Sequence, residues 1–390
     1  MEKQKICIIG GGLSGLITAL VLSKLNLKID LITGNINKNL KSNKTIAISQ
    51  SNYDYLKKLN IFESLKKGFW PCSEMKLYAE NKKKIFDKIF EFKSKKKHIL
   101  YMMTSSNIMK SAIKNIKKNK LITFKSNKII SEITTSGVLK AVKFKNKNIY
   151  KYNLIIICAG SNSSLVKNLF NEKVFEHSYE ETSATTIVNH KPFQNNIVRQ
   201  IFFDNEILAL LPISNTKTSI VWSVKKKIMN KYRSDNNKIF KKKIKLYTKD
   251  YIKKIKFFNH VEYKDLNLLI RKKYYKDRVI LFGDALHLVH PLVGQGFNMV
   301  LRDLACLENT LTKKINLGLD IGSYDILSEF SDKMRPRNFI YALGIDFMKN
   351  CFSFEKKNFK NLRNKIIIAL NKNNFLKNRF LNLADKGLMF

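Results

Sequence analysis

The chain has 390 residues, of which 44% are hydrophobic, and its 73 Lys and Arg residues against 30 acidic ones give a formal net charge of +43. This length suffices for a large buried core and two domains. The sequence has no apolar run of the roughly eighteen residues that a membrane-spanning helix requires, so we expect no transmembrane segment.

The basic residues are spread along the whole chain, next to many Asn and Ile residues. That mixture is typical of AT-rich codon usage acting on surface positions, and no nucleic-acid recognition module is visible. We therefore expect no nucleic-acid partner. A charge of this size still favours contact with anionic lipid head groups.

The first predicted element is a short apolar strand, Lys5–Ile9, followed by a glycine-rich turn and a helix over residues 16–25. The turn has the G-x-G-x-x-G spacing that cradles a dinucleotide pyrophosphate between a strand and a helix. The first glycine makes the turn, the second admits the pyrophosphate and the third allows close packing. The predicted binding residues are Gly10, Gly12, Leu13, Ser14 and Gly15.

A second strand is predicted over residues 27–33. Asp30 lies at the generic spacing for a ribose-binding acid, but strand alternation places it on the face opposite Thr33. We therefore expect Asp30 to be a surface residue.

Residues 171–264 alternate apolar and polar positions, as in 197–203 and 219–224, which predicts an antiparallel sheet to which residues 73–101 add strands or loops. Residues 225–237 are polar and rich in lysine, and we expect a loop there. The five cysteines (Cys7, Cys72, Cys158, Cys306 and Cys351) form no C-x-x-C pair, so we expect reduced, buried thiols of a cytosolic protein.

A strand over residues 278–282 leads into a glycine-flanked acid, Asp284, and then into a turn over residues 291–296 that precedes a helix. An acid at the end of a strand can bind sugar hydroxyls, and the helix N-terminus attracts anionic or electron-rich groups. His287 and His290 have H-x-x-H spacing but lack further ligands nearby, so no metal site is predicted. The sequence also lacks a G-x-S-x-G elbow, which argues against a hydrolase.

In the tail, Phe359, Leu362, Ile366 and Leu370 fall at helical spacing between basic residues. Two interpretations remain for this segment. It is either a helix that packs on its own domain or a basic amphipathic surface that rests on a membrane or a partner.

The segment from Gly283 to Asn298 resembles the G-D-A-A-H-x-x-x-P-x-x-G-Q-G-x-N signature of flavoprotein aromatic hydroxylases, and it is most similar to the ubiquinone-biosynthesis hydroxylases. Leu286 stands where that family commonly has Ala. The resemblance implies an FAD site, for which it adds the following residues to the N-terminal glycine turn: Thr33, Lys44, Asp284, Pro291, Gly294, Gln295, Gly296 and Asn298.

Three positions depart from the family pattern. Thr33 occupies the place of the ribose-binding Glu, and Lys44 replaces an Arg, keeping the charge but losing the planar fork. Ala159 occupies the place of an Asp that the family associates with flavin and nicotinamide contacts, which weakens the expectation of direct NAD(P)H use.

The resemblance implies an α/β fold of α+β character: a Rossmann-like FAD-binding domain, an interleaved antiparallel β-sheet substrate domain and a C-terminal helical tail. We assign residues 1–65, 105–170 and 265–345 to the first, 66–104 and 171–264 to the second, and 346–390 to the third.

The implied function is a monooxygenase that hydroxylates the ring of a polyprenyl-phenol in ubiquinone biosynthesis, with FAD, O2 and NAD(P)H or another electron donor. No catalytic side chain is predicted, and substrate contacts are sought in residues 206–223. Two alternatives are another flavoenzyme on this scaffold, such as a polyprenyl reductase or epoxidase, and a non-catalytic scaffold protein.

The implied partners are a ubiquinone-biosynthesis protein complex and an anionic membrane surface. The chain starts directly with a core strand, which leaves no room for a cleaved signal. We therefore expect a cytoplasmic protein with peripheral attachment to the inner face of the membrane.

Overall fold

The computed structural model of the protein describes residues 3–37, 39–61, 68–81, 83, 85–93, 98–172, 174–257, 260–353 and 357–387. Across these residues the chain combines two large sheets, two small sheets and ten helices.

The first large sheet is built from short, almost fully apolar strands, as expected of a parallel sheet covered on both faces. Its strands pair in parallel except for the antiparallel edge strand β19. In spatial order the strands are β19 (Tyr275–Lys276), β20 (Val279–Leu281), β12 (Leu154–Ile157), β1 (Lys5–Ile9), β2 (Lys28–Ile32) and β8 (Ile122–Lys125).

Three helices pack together around this parallel sheet. They are α1 (Leu13–Ser23), α3 (Ser105–Lys118) and α7 (Gln295–Asn316). Because α1 follows β1 directly and α7 follows β20 after a turn, both helices begin at the carboxyl edge of the sheet. Ligands of open parallel sheets bind at this edge.

The second large sheet has nine strands and is antiparallel except where β14 pairs in parallel with β5. In spatial order the strands are β21 (His287–Leu288), β18 (Glu262–Arg271), β13 (Val174–Asn189), β16 (Lys217–Lys225), β15 (Glu206–Ser214), β14 (Ile197–Phe203), β5 (Glu74–Glu80) and β6 (Phe86–Lys93), and β17 (Lys256–Phe257) adds to β13. Residues 73–101 do contribute strands, as the sequence predicted.

Two three-stranded sheets complete the β-structure. One consists of β3 (Thr45–Ser49), β7 (Leu100–Thr104) and β4 (Trp70–Cys72), of which β7 and β4 contact β15 of the nine-stranded sheet. The other consists of β11 (Ile149–Tyr152), β10 (Leu139–Phe144) and β9 (Ile130–Ser136).

The remaining helices are α2 (Gln50–Lys58), α4 (Ser164–Leu169), α5 (Lys226–Ser234), α6 (Lys238–Thr248), α8 (Tyr324–Ser353), α9 (Lys357–Lys372) and α10 (Asn374–Lys386). The boundary expected at residue 345 lies inside α8, and the one expected at residue 264 lies inside β18. The tail is helical, and α9 packs on β6, with the side chain of Asn371 accepting a 3.1 Å hydrogen bond from the backbone N–H of Glu91. The edge of the nine-stranded sheet is thereby covered.

The prediction of a surface position for Asp30 is wrong. Its carboxylate is buried and lies 3.0 Å from the ammonium of Lys5 and 2.9 Å from that of Lys125, and the hydroxyl of Tyr152 donates a 2.7 Å hydrogen bond to it. Although burial opposes it, these hydrogen bonds hold the pKa of Asp30 below its usual value. The alternation of side chains along β2 did not predict this burial, because β2 lies between β1 and β8 in a sheet that is covered on both faces. Side chains on either face of such a strand are buried.

The loop predicted over residues 225–237 is also wrong in part. Residues Lys226–Ser234 form α5, because Met229 and Tyr232 lie three positions apart and pack their side chains on the nine-stranded sheet, while the lysines of the helix (Lys226, Lys227 and Lys231) are exposed to solvent. Of the cysteines, Cys7, Cys72 and Cys158 are buried, whereas Cys306 and Cys351 are only partly buried, and all five are free thiols.

Candidate active site

The turn between β1 and α1 requires glycine at two of the predicted positions. Gly10 has a φ of +135°, and a Cβ there would lie 2.4 Å from the carbonyl oxygen of Cys158. A Cβ on Gly15 would lie 2.1 Å from the carbonyl oxygen of Gly10. Any side chain at these positions would therefore push the helix away from the sheet.

Open space lies in front of the middle glycine of the turn. A Cβ on Gly12 would meet no atom within 4 Å, and Gly12 is the N-cap of α1 without a side-chain cap. Leu13 and Ser14 form the first helical turn. The N–H groups of this turn and the positive end of the helix therefore face a space that a phosphate group would fill.

The start of α1 also meets the second predicted motif. Gly283 opens the short 3₁₀ helix Gly283–Ala285 with a φ of +63°, and a Cβ on Gly283 would lie 2.6 Å from Oγ of Ser14. The fold thus brings the two glycine motifs, far apart in sequence, into contact.

Asp284 follows in this turn with about half of its side chain exposed, and its carboxylate lies 3.7 Å from the ammonium of Lys264. Lys44 is exposed in the same region, where the charges of Lys264, Asp284 and Glu262 act on it. Two predicted site residues, Lys44 and Asp284, therefore lie in the same region at the carboxyl edge of the parallel sheet.

Cys158 is a site residue that sequence reasoning missed. Its carbonyl oxygen packs on Gly10, and its backbone N–H donates a 2.7 Å hydrogen bond to the carbonyl of Ile9. Burial raises the pKa of the Cys158 thiol to about 12, which excludes a thiolate nucleophile at neutral pH. The parallel pairing of β1 with β12 is the signal that would have placed this residue beside the glycine turn.

Thr33 directly follows β2 beneath the glycine turn and is only 1% exposed. A Cβ on Gly11 would lie 3.0 Å from Cβ of Thr33 and 2.4 Å from a methyl group of Ile36. Oγ1 of Thr33 is buried without a hydrogen-bond partner in the described part of the chain. A ribose contact at this position, which stays a prediction, therefore requires the loop after β2 to move.

The loop from Pro291 to Gly296 contains the 3₁₀ helix Leu292–Gly294 and ends at the start of α7. Gly294 has a φ of +67°, and a Cβ there would lie 2.8 Å from Cβ of Ala47 on β3. A Cβ on Gly296 would have its nearest neighbour, a methyl of Val289, at 3.9 Å. Gly294 is the N-cap of α7 and makes no side-chain cap, so this helix also presents its first N–H groups at the site.

Asn298 ties this loop to β3 through its side chain. Its amide oxygen accepts 2.9 Å hydrogen bonds from the backbone N–H of Ser49 and from the side chain of Asn52. Its amide nitrogen donates to the carbonyls of Ala47, at 3.0 Å, and Gly294, at 3.3 Å. Asn298 thus positions the backbone of the loop through four protein hydrogen bonds.

Gln295 and Tyr341 join α7 to α8. The hydroxyl of Tyr341 donates a 2.6 Å hydrogen bond to Oε1 of Gln295. Both side chains line the cavity described below, so they are polar groups at its loop end.

The two histidines of the segment are held by separate carboxylates. Nε2 of His287 lies 2.6 Å from Oδ2 of Asp303, and Nε2 of His290 lies 3.2 Å from Oε2 of Glu181. The ammonium of Lys349 lies 2.9 Å from the other oxygen of Glu181. Among the described residues, no three His, Cys, Asp or Glu side chains are grouped in a way that could hold a metal ion.

A cavity of about 1420 Å³ begins at this loop and extends beneath the tail. Leu292 and Gln295 line its loop end, and Ser49 and Gln50 line the junction of β3 with α2. Its other walls are mostly apolar and come from β5, β6, β7, β14, α8, α9 and α10. They include Met75, Leu77, Phe92, Phe202, Ile345 and Ile367. None of residues 206–223, for which we expected substrate contacts, lines this cavity.

A family model described as an FAD-binding domain matches residues 3–318. The chain belongs to this family. FAD is accordingly its cofactor, and the residues present fit it: the uncapped α1 N-terminus facing open space at Gly12 suits the pyrophosphate, and Asp284 and the Gly294 loop lie across the same edge of the parallel sheet.

The chain is similar along most of its length to several characterised proteins. The chain is 23% identical to the mitochondrial ubiquinone biosynthesis monooxygenase COQ6 of Dictyostelium discoideum over 97% of this chain and 90% of that protein. It is 22% identical to ubiquinone hydroxylase UbiM of Neisseria meningitidis over 94% and 81% of the two chains. The crystal structure of p-nitrophenol 4-monooxygenase PnpA from Pseudomonas putida superposes with a TM-score of 0.79 at 13% identity and covers 100% of both chains, which supports the fold.

Proposed function

We propose that this protein is an FAD-dependent monooxygenase that hydroxylates the aromatic ring of a polyprenyl-phenol in ubiquinone biosynthesis. The observation that carries the proposal is the large apolar cavity that begins at the Pro291–Gly296 loop. Ligand pockets for drug-sized molecules measure roughly 300–1,000 Å³, so this cavity has room for a ring and part of a long apolar chain. The names of the relatives point to the same substrate class.

FAD, when bound, supplies the activation of O2 and the transfer of one oxygen atom. The chain's own residues bind the cofactor, orient the substrate ring and shield it from water. The first turn of α1 would hold the pyrophosphate, and Asn298 fixes the Gly294 loop against β3. The apolar walls exclude water from the reacting ring, which limits unproductive loss of the activated oxygen. Tyr341 and Gln295 offer hydrogen-bonding groups to the phenol at the loop end.

NAD(P)H is the proposed electron donor. Ala159 is where the family has an Asp, so the donor is tested separately: NADPH or NADH is mixed with the FAD-loaded protein without oxygen. Bleaching of the flavin absorbance supports a nicotinamide donor. A flavin that stays oxidised with both nucleotides while dithionite reduces it rejects this donor.

The function is tested by product mass. The FAD-loaded protein is incubated with a polyprenyl-phenol, O2 and a reductant, and the lipid is analysed by mass spectrometry. A gain of one oxygen atom by the lipid supports the hydroxylase. In cells, a deletion strain should accumulate the polyprenyl-phenol precursor, and complementation with this protein should remove it. A gain of hydrogen alone indicates a reductase, and a protein that binds no flavin indicates a scaffold.

A cavity variant shows whether the substrate uses this space. Gly344 lines the cavity, and a Cβ there would meet no atom within 4 Å, so Gly344→Phe occupies part of the cavity without an initial clash. We expect at least roughly tenfold lower turnover of the long-chain phenol, with unchanged FAD affinity. The matched control is Ala369→Phe on the exposed side of α9. Equal turnover in both variants contradicts the proposal that the substrate occupies this cavity.

The proposed partners are a ubiquinone-biosynthesis protein complex and an anionic membrane surface, the latter for peripheral attachment at the cytoplasmic face. Among the described residues, no helix combines the length and apolar content of a membrane span.

A further inference from the structure

Helix α8 turns an apolar stripe toward solvent. Phe339, Leu343 and Phe347 follow one another at four-residue spacing and are at least one-third exposed, with Phe347 exposed by 67%. Gly344 and Met348 lie beside them on the same face. A surface helix ordinarily presents polar residues to water. An exposed apolar stripe of this length marks a contact surface for another molecule.

The stripe continues into the walls of the cavity. Phe347 and Met348 line the cavity from α8, Leu362 and Ile366 line it from α9, and Phe380 lines it from α10. All five of these residues are also exposed. Phe375 on α10 adds a further apolar side chain, 65% exposed, that does not line the cavity. The exposed apolar face of α8–α10 is therefore the outer continuation of the cavity.

The three helices of this face also carry exposed positive charge. Arg335 on α8, Lys365 and Lys372 on α9 and Arg379 and Lys386 on α10 are all exposed. In sequence, α9 and α10 carry eight Lys or Arg residues and one acid, Asp385, whose carboxylate accepts hydrogen bonds from the backbone N–H and the hydroxyl of Ser51.

The positive charge of these helices indicates which kind of molecule this face binds. A second copy of this chain would bring the same exposed cations against each other, and like charges at an interface oppose association. An anionic lipid bilayer complements both features at once, because its head groups attract the lysines and its acyl region accepts the apolar side chains.

We propose that the α8–α10 face docks on an anionic lipid leaflet and that the cavity opens directly into it. A lipid substrate then passes sideways from the leaflet into the cavity without crossing water. The entry of substrate rests on the proposed function, whereas the docking itself does not.

The experiment uses the full-length, FAD-loaded protein and sedimentation with vesicles of phosphatidylcholine alone or mixed equally with phosphatidylglycerol. The face variant carries Phe339→Ser, Leu343→Ser and Phe375→Ser, none of which lines the cavity. Its matched control carries Ile129→Ser, Val138→Ser and Ile149→Ser, three exposed apolar residues around the β9–β11 sheet. A charge variant carries Lys365→Glu, Lys372→Glu and Arg379→Glu. Its control carries Lys238→Glu, Lys242→Glu and Lys245→Glu, three exposed positions on α6.

We expect the parent protein to bind the anionic vesicles and to lose this binding at high salt, because the Debye length falls to about 3 Å at 1 M. The charge variant should bind at least roughly tenfold more weakly, because its reversed side chains repel the anionic head groups. The face variant should also bind at least roughly tenfold more weakly, because it buries fewer apolar side chains in the acyl region. Both controls should bind as the parent does, and flavin absorbance verifies that every variant is folded.

Equal binding to neutral and anionic vesicles, or equal loss in the controls, overturns the docking. A parent protein that is dimeric by light scattering and becomes monomeric in the face variant assigns the face to a second copy and also overturns it. Hydroxylation is measured separately with a short-chain phenol in solution. If that activity is absent while vesicle binding persists, the proposed function fails and the docking stands.

Discussion

The backbone N–H of Ser51 donates a 2.8 Å hydrogen bond to the carboxylate of Asp385, joining the start of α2 to the end of α10. Ser49, the N-cap of α2, makes no side-chain cap of its own, and its hydroxyl instead donates to the backbone carbonyl of Asp385. A carboxylate at a helix N-terminus is favourable because it meets unpaired N–H groups and the positive end of the dipole. Asp385 therefore caps α2 from a distant part of the sequence.

The cap holds the last helix against the cavity. Asp385→Ala should loosen α10 by about 1 kcal/mol, the usual effect of losing a helix cap. Hydrogen exchange followed by mass spectrometry should show faster exchange in residues 374–386 than in the parent. Lys386→Ala, one residue further along, is the control. Unchanged exchange in the Asp385 variant would show that other contacts alone retain the helix.

The second prediction concerns Asn298. Removing its amide leaves the N–H of Ser49 and the carbonyl of Ala47 without their side-chain partner, and a buried polar group left unpaired costs roughly 1–3 kcal/mol. Asn298→Ala should lower the free energy of unfolding by about that amount and weaken FAD binding, because the Gly294 loop loses its attachment to β3. Urea unfolding and flavin titration measure the two effects. Asn316→Ala, at the exposed end of the same helix, should change neither.

The third prediction tests the role of Asp284. Its carboxylate lies 3.7 Å from the ammonium of Lys264, and exposed ion pairs of this kind add little stability. Asp284→Ala should therefore leave the fold intact while weakening FAD binding roughly tenfold to a hundredfold through the loss of a charged acceptor. Titration of the apoprotein measures the affinity, with Lys264→Ala as the control. A variant that keeps parental affinity removes Asp284 from the site.

The fourth prediction concerns Thr33, where the family has Glu. Because Thr33 is enclosed under the glycine turn, a Glu carboxylate there lacks a partner in the apoprotein and should lower its melting temperature. The ribose hydroxyls would supply partners, so FAD should raise the melting temperature of Thr33→Glu by more than it raises that of the parent. Thr33→Gln, similar in size but uncharged, is the control. A smaller FAD-induced shift in the Glu variant contradicts the ribose contact.

Sequence patterns located the two glycine motifs because their constraints are local. Gly10 and Gly294 need positive φ, and the strand and helix that flank each motif can be identified within a few residues. The contact between Ser14 and Gly283 follows from the resemblance to a known family. By contrast, the burial of Asp30 depends on β8 pairing with β2, an arrangement that no pattern within β2 itself contains.

The cavity also lay beyond reach of the sequence. Apolar spacing in residues 359–370 correctly predicted a helix, but spacing alone could not choose between packing and a free surface. The structure shows both: Ile367 and Leu370 pack with the core cluster beside β6, while Leu362 and Ile366 stay exposed. Residues 206–223 do not line this cavity, because β15 and β16 lie in the middle of the sheet, away from the edge that α9 covers, and substrate contacts there stay a prediction.

The last prediction is an acid sensitivity that originates at His290. Burial lowers the pKa of His290 from its usual 6.5, against the opposing effect of Glu181, and Lys349, Asp346 and Tyr179 face the same buried region. Below pH 6.5 the unfolded chain therefore binds a proton at His290 that the folded protein does not, and stability should fall by up to about 1.4 kcal/mol per pH unit. The pKa of Glu181 is lowered, so its contribution is lost only at more acidic pH, below its usual value of 4.5. Urea unfolding at pH 7, 6 and 5 should give a decline in stability that is shallower in His290→Gln and unchanged in the exposed control His260→Gln. Identical slopes in the His290 variant and the parent would assign the acid sensitivity to other groups.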